Sequence, residues 1–372
     1  MKHKLLAFAL YDAGETFLSA LVFSTLYPLY ISQRVDVSLY SFLYGLSFFI
    51  SFFLAIYLGK LADRYALRKR FFVLFTFMVF LCGVLLGLFW DSLVLTLSLY
   101  MLMVISHQQA WVFYSSMLVG FEKMGIASGF GVASGYVASA FALILVAPHM
   151  RVPYAFWQIS LVFLLLSVPS LLLLTEPGQR AHVRIRDLLS DKKFLLLCVS
   201  ILSLTEVANT LVAMMGVYLR EVYSMQEGEI YRVIGLSALG GVLGGPLWGK
   251  LVDLLGAKRV FPVGFFLWLL FLVLLYLSSR AYVLAVGLWA GLSLAHLWTS
   301  SRVLLLENFP KGESSVRMSF LSLTERIASS VGLWVWSGLL VMTDHNYRLS
   351  ALLMVVFPLL GFLLYLISRP SR

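Results

Sequence analysis

The chain has 372 residues, of which 61% are hydrophobic and 12% charged, with a mean hydropathy of +0.92. A soluble domain covers its surface with about twice that share of charge, so an ordinary soluble protein is excluded and a polytopic helical membrane protein is indicated. The net charge of +10 does not argue for nucleic acid, because the basic residues cluster in alternate loops between apolar runs.

Runs of about 20 apolar residues, the length that crosses the hydrocarbon as a helix, recur twelve times. They lie at 5–31, 38–58, 71–89, 93–118, 126–147, 153–174, 194–219, 230–248, 260–278, 281–305, 318–342 and 348–368. The first is read as a permanent span rather than a signal peptide: Asp12 and Glu15 interrupt it, it continues to Ile31, and no small-x-small cleavage site follows. Most connections are short, so neighbouring helices run antiparallel. The exception is the polar, basic stretch 175–193, TEPGQRAHVRIRDLLSDKK, which separates a first bundle (1–174) from a second (194–372). Most of the 28 Lys and Arg fall at the N-terminus and after the even-numbered spans, Arg302 counted among those following helix 10. Both termini are therefore expected in the cytoplasm, in the cell membrane if the source is prokaryotic. Cys82 and Cys198 sit singly in apolar runs and read as free, packed thiols.

A twelve-residue stretch appears twice. Residues 59–70 read GKLADRYALRKR and residues 249–260 read GKLVDLLGAKRV, so Gly59 matches Gly249, Asp63 matches Asp253, and Arg68-Lys69 matches Lys258-Arg259, all at an offset of 190. Each copy lies between two long apolar runs, which points to a duplicated bundle of membrane helices. The stretch resembles the loop signature of the major facilitator superfamily, Gly-x-x-x-Asp-Arg-x-Gly-x-Arg/Lys-Arg/Lys. It departs at Ala66, where that family has Gly, and at Leu254, where it has Arg. The resemblance implies an all-α integral membrane protein with twelve transmembrane helices in two pseudo-symmetric six-helix bundles, helices 1, 4, 7 and 10 surrounding a central cavity. It also implies that Gly59, Asp63, Arg64, Arg68, Gly249, Asp253 and Lys258 gate the conformational change. Plain charge anchoring of a tight turn is the alternative.

The duplication reaches into the spans. Helix 1 carries Asp12-Ala13-Gly14-Glu15-Thr16 and helix 7 carries Glu206-Val207-Ala208-Asn209-Thr210, an offset of 194. Helix 4 carries His107 and helix 10 carries His296, an offset of 189. A charged side chain inside the membrane costs at least about 2.5 kcal/mol and so marks a functional site by default. Asp12, Glu15, Glu206 and Asn209 are thus candidates for substrate and proton binding, along with His107, Gln108, Trp111 and His296. The competing reading is structural neutralisation, for instance by Arg326, and Glu325-Arg326 in helix 11 could be an internal ion pair. Small residues spaced four apart, Gly131 and Gly135 in helix 5 and Gly240, Gly241, Gly244, Gly245 and Gly249 in helix 8, predict close helix contacts. Helices 5 and 8 are expected to form part of a sliding interface between the halves, with Pro246 loosening one turn.

Four further stretches resemble the vacuole-effluxer branch of that superfamily: LYDAGETFLSALVFSTLYPLY (10–30), HQQAWVFYSSML (107–118), ASGFGVASGYVAS (127–139) and SSRVLLLENFPKGESS (300–315). The resemblance implies export of amino acids. Glu15-Thr16 replace that branch's Asn-Ser, and an extra carboxylate there favours a cationic or zwitterionic cargo. The expected function is proton-coupled secondary transport of a small molecule by a monomer in the lipid bilayer, with no cofactor, metal or nucleic-acid partner. A multidrug or cationic-compound exporter is the alternative, and a non-transporting receptor the remaining class. No Ser-His-Asp arrangement, His-Glu-x-x-His or Walker sequence suggests an enzyme.

Overall fold

A computed structural model describes residues 2–368, apart from the side chains of Val37 and of residues 323–330. Glu325 and Arg326 therefore fall outside the described side chains. The described residues are helical with short connections. Eleven helices are long and apolar enough to span a membrane: α1 (Lys2–Ile31), α2 (Ser38–Tyr65), α3 (Arg68–Leu88), α4 (Leu93–Gly120), α5 (Met124–His149), α6 (Tyr154–Leu173), α7 (Lys192–Tyr223), α8 (Glu227–Leu255), α9 (Ala257–Leu277), α10 (Arg280–Asn308) and, last in the chain, α12 (Tyr347–Ser368). Between the last two lies α11 (Ser314–Met342), whose final part, Val331–Met342, is a shorter apolar helix. With twelve helices crossing in alternation, the start of α1 and the end of α12 lie on one face, called the terminal face below.

Local chemistry sets the helix ends. Asp36 starts α2 by accepting a hydrogen bond from the Ser38 amide at 2.6 Å, and Asp191 starts α7 through the Phe194 amide at 3.1 Å. Gln226 and Glu229 form a reciprocal capping box at the start of α8. α2 ends on Ala66 in the left-handed region (φ 55°), and α8 ends on Gly256 (φ 83°). The two residues stand 190 apart, the offset of the repeat, so both copies stop their helix with a positive-φ residue. Glycine does this without strain and alanine does not.

The α1–α6 helices pack on one another, α7–α12 do likewise, and the two sets meet mainly along α5–α8 and α2–α11. Along α5–α8 the backbones touch. A Cβ on Gly129 would overlap the Gly245 carbonyl oxygen, and one on Gly125 would overlap that of Gly249. Gly131 and Gly135 instead face α1, while Gly240 and Gly244 face α10. Helix 8 thus carries two glycine stripes, one for each neighbour. Along α2–α11, Gly59 lies against Ser315, Val316 and Ser319. Cys82 and Cys198 are buried and unbridged.

Candidate functional site

The repeated stretch builds two crossed contacts at the terminal face. Asp63, at the end of α2, accepts hydrogen bonds from the Ser315 and Val316 amides at 3.0 and 2.9 Å, at the N-terminus of α11 in the other half. Asp253, at the end of α8, accepts from the Gly125 and Ile126 amides, both at 2.7 Å, at the N-terminus of α5. Donors as well as acceptors obey the repeat, since 315 − 125 = 190 and 253 − 63 = 190. Unsatisfied amides and the helix dipole make each N-terminus a seat for a carboxylate, so every latch ties one half to the other.

The latches differ in their support. Arg68 is fully buried and donates to Asp63 through Nη2 at 2.9 Å and Nε at 3.2 Å. The same guanidinium reaches the Gly312 carbonyl at 2.8 Å, the Gln179 carbonyl at 2.9 Å and Glu176 at 3.3 Å. Arg68 thereby fastens the inter-bundle linker and the α10–α11 loop onto the end of α2. The second latch instead has Glu307, whose carboxylate accepts from the Ala257 amide at 2.9 Å. Arg64 and Lys258 are exposed. Arg64 lies over the Tyr65 ring, while the backbone carbonyl of Lys258 accepts from the Tyr365 hydroxyl and its ammonium acts electrostatically on Glu307 of the second latch.

Deeper in, Asp12 on α1 pairs with Arg302 on α10, Oδ2 to Nη1, at 3.2 Å. This ion pair crosses between the halves, and both side chains are buried, 4% and 9% exposed. Arg302 is therefore not a loop residue: α10 continues through the apolar run 303–306 to Asn308 and holds the guanidinium inside, 5.3 Å from the centre of the Trp111 ring. Space for the Asp12 carboxylate comes from Gly131, where any Cβ would overlap Oδ2. One turn along, Glu15 accepts from His107 Nε2 at 2.8 Å and from the Ser19 hydroxyl at 3.1 Å. Ser19 opens a π-helical stretch, Ser19–Leu26, within α1, a distortion often found at functional sites. Gln108 accepts from the Ser322 hydroxyl at 3.2 Å and its amide nitrogen lies 3.4 Å from His107 Nδ1.

Two cavities meet here. A polar one of about 280 Å³ is lined by Asp12, Glu15, Thr16, Trp111, Trp298 and Arg302 among others. An apolar one of about 450 Å³ includes Asn209 and is shared between α5 and helices α7–α10. Tyr136, Ser139 and Trp298 line both. The apolar cavity reaches Leu219, Val233, Leu275 and Val283, at the helix ends opposite the latches.

Glu206 and His296 line neither cavity. Glu206 is 2% exposed in the seam between α7 and α11, where a Cβ on Gly332 would meet both its carboxylate and Thr210. Asp12 and Thr16 face Gly131 and Gly135 of α5 in the same way, so the repeated acid-x-x-x-Thr is a shared packing motif. His296 is fully buried, donates from Nε2 to the Val260 carbonyl (2.9 Å) and stacks edge-on with Trp248. Its offset of 189 from His107 is one residue short of the repeat, about 100° around a helix, and it faces α9 instead of the centre. The amide nitrogen of Gln109 is held by Ser51 at 2.8 Å, and sequence reasoning missed Glu176, which caps the Lys69 amide at 2.6 Å. Among the described residues no group of three or more His, Cys, Asp or Glu could hold a metal ion.

Residues 194–372 match the family model described as Major Facilitator Superfamily. A protein of Aquifex aeolicus (strain VF5) described as uncharacterized is 56% identical over 366 residues, covering 98% of this chain and 97% of that one. Among solved structures, a bacterial homologue of the iron transporter ferroportin, in an outward-facing state with soaked iron, aligns with a TM-score of 0.78 at 19% identity over 100% of this chain and 99% of that one. The fucose:proton symporter of E. coli aligns with a TM-score of 0.80 at 11% identity over 100% and 99%. At such identities the structural matches speak for the fold alone.

Proposed function

We propose that the chain, whose second half matches the Major Facilitator Superfamily model and whose fold is that of its transporter neighbours, is a secondary transporter of that superfamily that alternates access between the two faces, with Asp12 as the coupling site. The observation that carries this reading is the crossing ion pair between Asp12 and Arg302 at the wall of the polar cavity. It lies on the cavity side of two latches that seal the terminal face, while the apolar cavity extends the other way. A proton or a cationic cargo arriving at Asp12 competes with Arg302 and weakens the tie between the halves. The latches then open, and the cavity is exposed to the terminal face, taken as cytoplasmic from the basic loops.

Proton coupling is supported by the placement of Asp12 and Glu15, two largely buried carboxylates, on one polar cavity. Amino-acid export fits a cavity with both carboxylates and a guanidinium. Export of cationic compounds is favoured by a second observation, the 450 Å³ apolar chamber next to the carboxylates. In proteoliposomes, a panel of amino acids and lipophilic cations should yield at least one compound whose flux follows an imposed pH gradient. Flux of every compound independent of the gradient would remove the coupling role of Asp12.

A further inference from the structure

We propose that the cargo is an amphipathic cation, its charged head seated in the polar cavity and its apolar body in the neighbouring chamber. This rests on the reading of the two cavities as the transport site. Among the described residues the polar cavity offers two carboxylates, Asp12 and Glu15, against one guanidinium, Arg302. Arg302 is already drawn to Asp12 and lies over Trp111. Glu15 is held by a histidine and a serine, and the Arg302 charge acts on it more weakly than His107 does. An arriving ammonium thus meets carboxylates in a cavity that Trp298 and Tyr136 also line, and aromatic rings attract a desolvated cation.

The second chamber gives the rest of the molecule a place. It is the larger of the two, and its walls are Leu211, Met215, Ile234, Trp268, Phe271 and Leu294 among others. Among the described residues nothing charged lines it, and Asn209 is one of its few polar groups. The chambers are joined at Tyr136, Ser139 and Trp298, so one ligand can occupy both. A small, uniformly polar zwitterion would leave the apolar chamber unused. An apolar tail fills it and gains from each methylene removed from water. The throat has a built-in setting: the Tyr136 ring lies directly over Gly241 of α8, where a Cβ would approach to 2.5 Å. A side chain at 241 must displace that ring, which lines the junction.

The test is binding of alkyltrimethylammonium ions, from ethyl to octyl, to the full chain in lipid nanodiscs, read by tryptophan fluorescence against empty nanodiscs. Affinity is expected to rise about fourfold per methylene, the equivalent of about 0.8 kcal/mol, and to level off once the chamber is full. Octyl sulfate should bind at least about tenfold more weakly than octyltrimethylammonium, since its head meets like charge. Glu15→Gln should narrow that preference, and Gly241→Ala should weaken the octyl compound by a larger factor than the ethyl compound, whose remaining binding shows that the variant folds. A flat chain-length series, or equal binding of the sulfate, overturns the proposal. Chain-length-dependent binding without any flux in proteoliposomes would sink the transport reading and leave the ligand class standing. Gradient-driven flux of amino acids, with no binding of the ammonium series, would do the reverse.

Discussion

Asp253→Asn isolates one latch. The carboxylate accepts two amides at 2.7 Å from the first turn of α5. Asparagine keeps one acceptor oxygen, sets an NH2 group against the other amide, and removes the charge that the helix N-terminus favours. A hydrogen bond to a charged group contributes about 1.5–3 kcal/mol and the dipole about 0.3–1 kcal/mol. The state closed at the terminal face should therefore lose about 2–3 kcal/mol relative to the open one, roughly a 30- to 150-fold change in their ratio. Asp63→Asn should shift it further, because it also leaves the fully buried Arg68 without its carboxylate. Spin labels at Glu122→Cys and Leu255→Cys, exposed positions on either side of the latch, report the separation by double electron–electron resonance. The parent should show one short distance, and each latch variant a second, longer population. Unchanged distance distributions in both variants would refute the latch reasoning.

Other expected outcomes follow from single contacts. Asp12→Asn cannot take up a proton, so flux measured with and without a pH gradient should become equal; a retained several-fold difference would move the coupling site elsewhere. Ala66→Gly relieves a left-handed alanine and should stabilise the protein by about 0.5–1 kcal/mol, seen as a higher Tm in detergent, whereas Gly256→Ala should lower it. Gly129→Ala drives a Cβ into the Gly245 carbonyl and should cost about 1–3 kcal/mol through forced separation of α5 and α8, again read as Tm. An unchanged melting temperature there would mean that the two helices are not held at backbone contact.

The bundle architecture and the latches were legible because they depend on quantities that a sequence displays directly. Span length appears as run length, and the duplicated turn keeps a constant offset of 190 that the structure repeats in donor amides, acceptor carboxylates and positive-φ caps. Helix 5 and helix 8 met as their glycines suggested, though Gly125 and Gly129, not Gly131 and Gly135, make the contact with α8. The site was less legible. Polar residues deep in a span announce themselves, but the direction each faces depends on rotations of about 100° per residue. His296 and Glu206 therefore turned into helix packing while Asp12 and Glu15 reached the cavity. Arg302 resembled a loop cation because it lies within two turns of its helix end; the apolar Val303–Leu306 after it was the signal that the span continues.

The claim that the joined cavities are offered to the two faces in turn has a direct test. Ser139 lines both chambers, and Ser139→Cys can be challenged with a membrane-impermeant thiol reagent in sealed vesicles of each orientation. The account predicts labelling from the face opposite the termini in the otherwise unaltered chain. Labelling from the terminal face should appear once Asp63→Asn and Asp253→Asn are added. Reaction from the same single face in both proteins would contradict it.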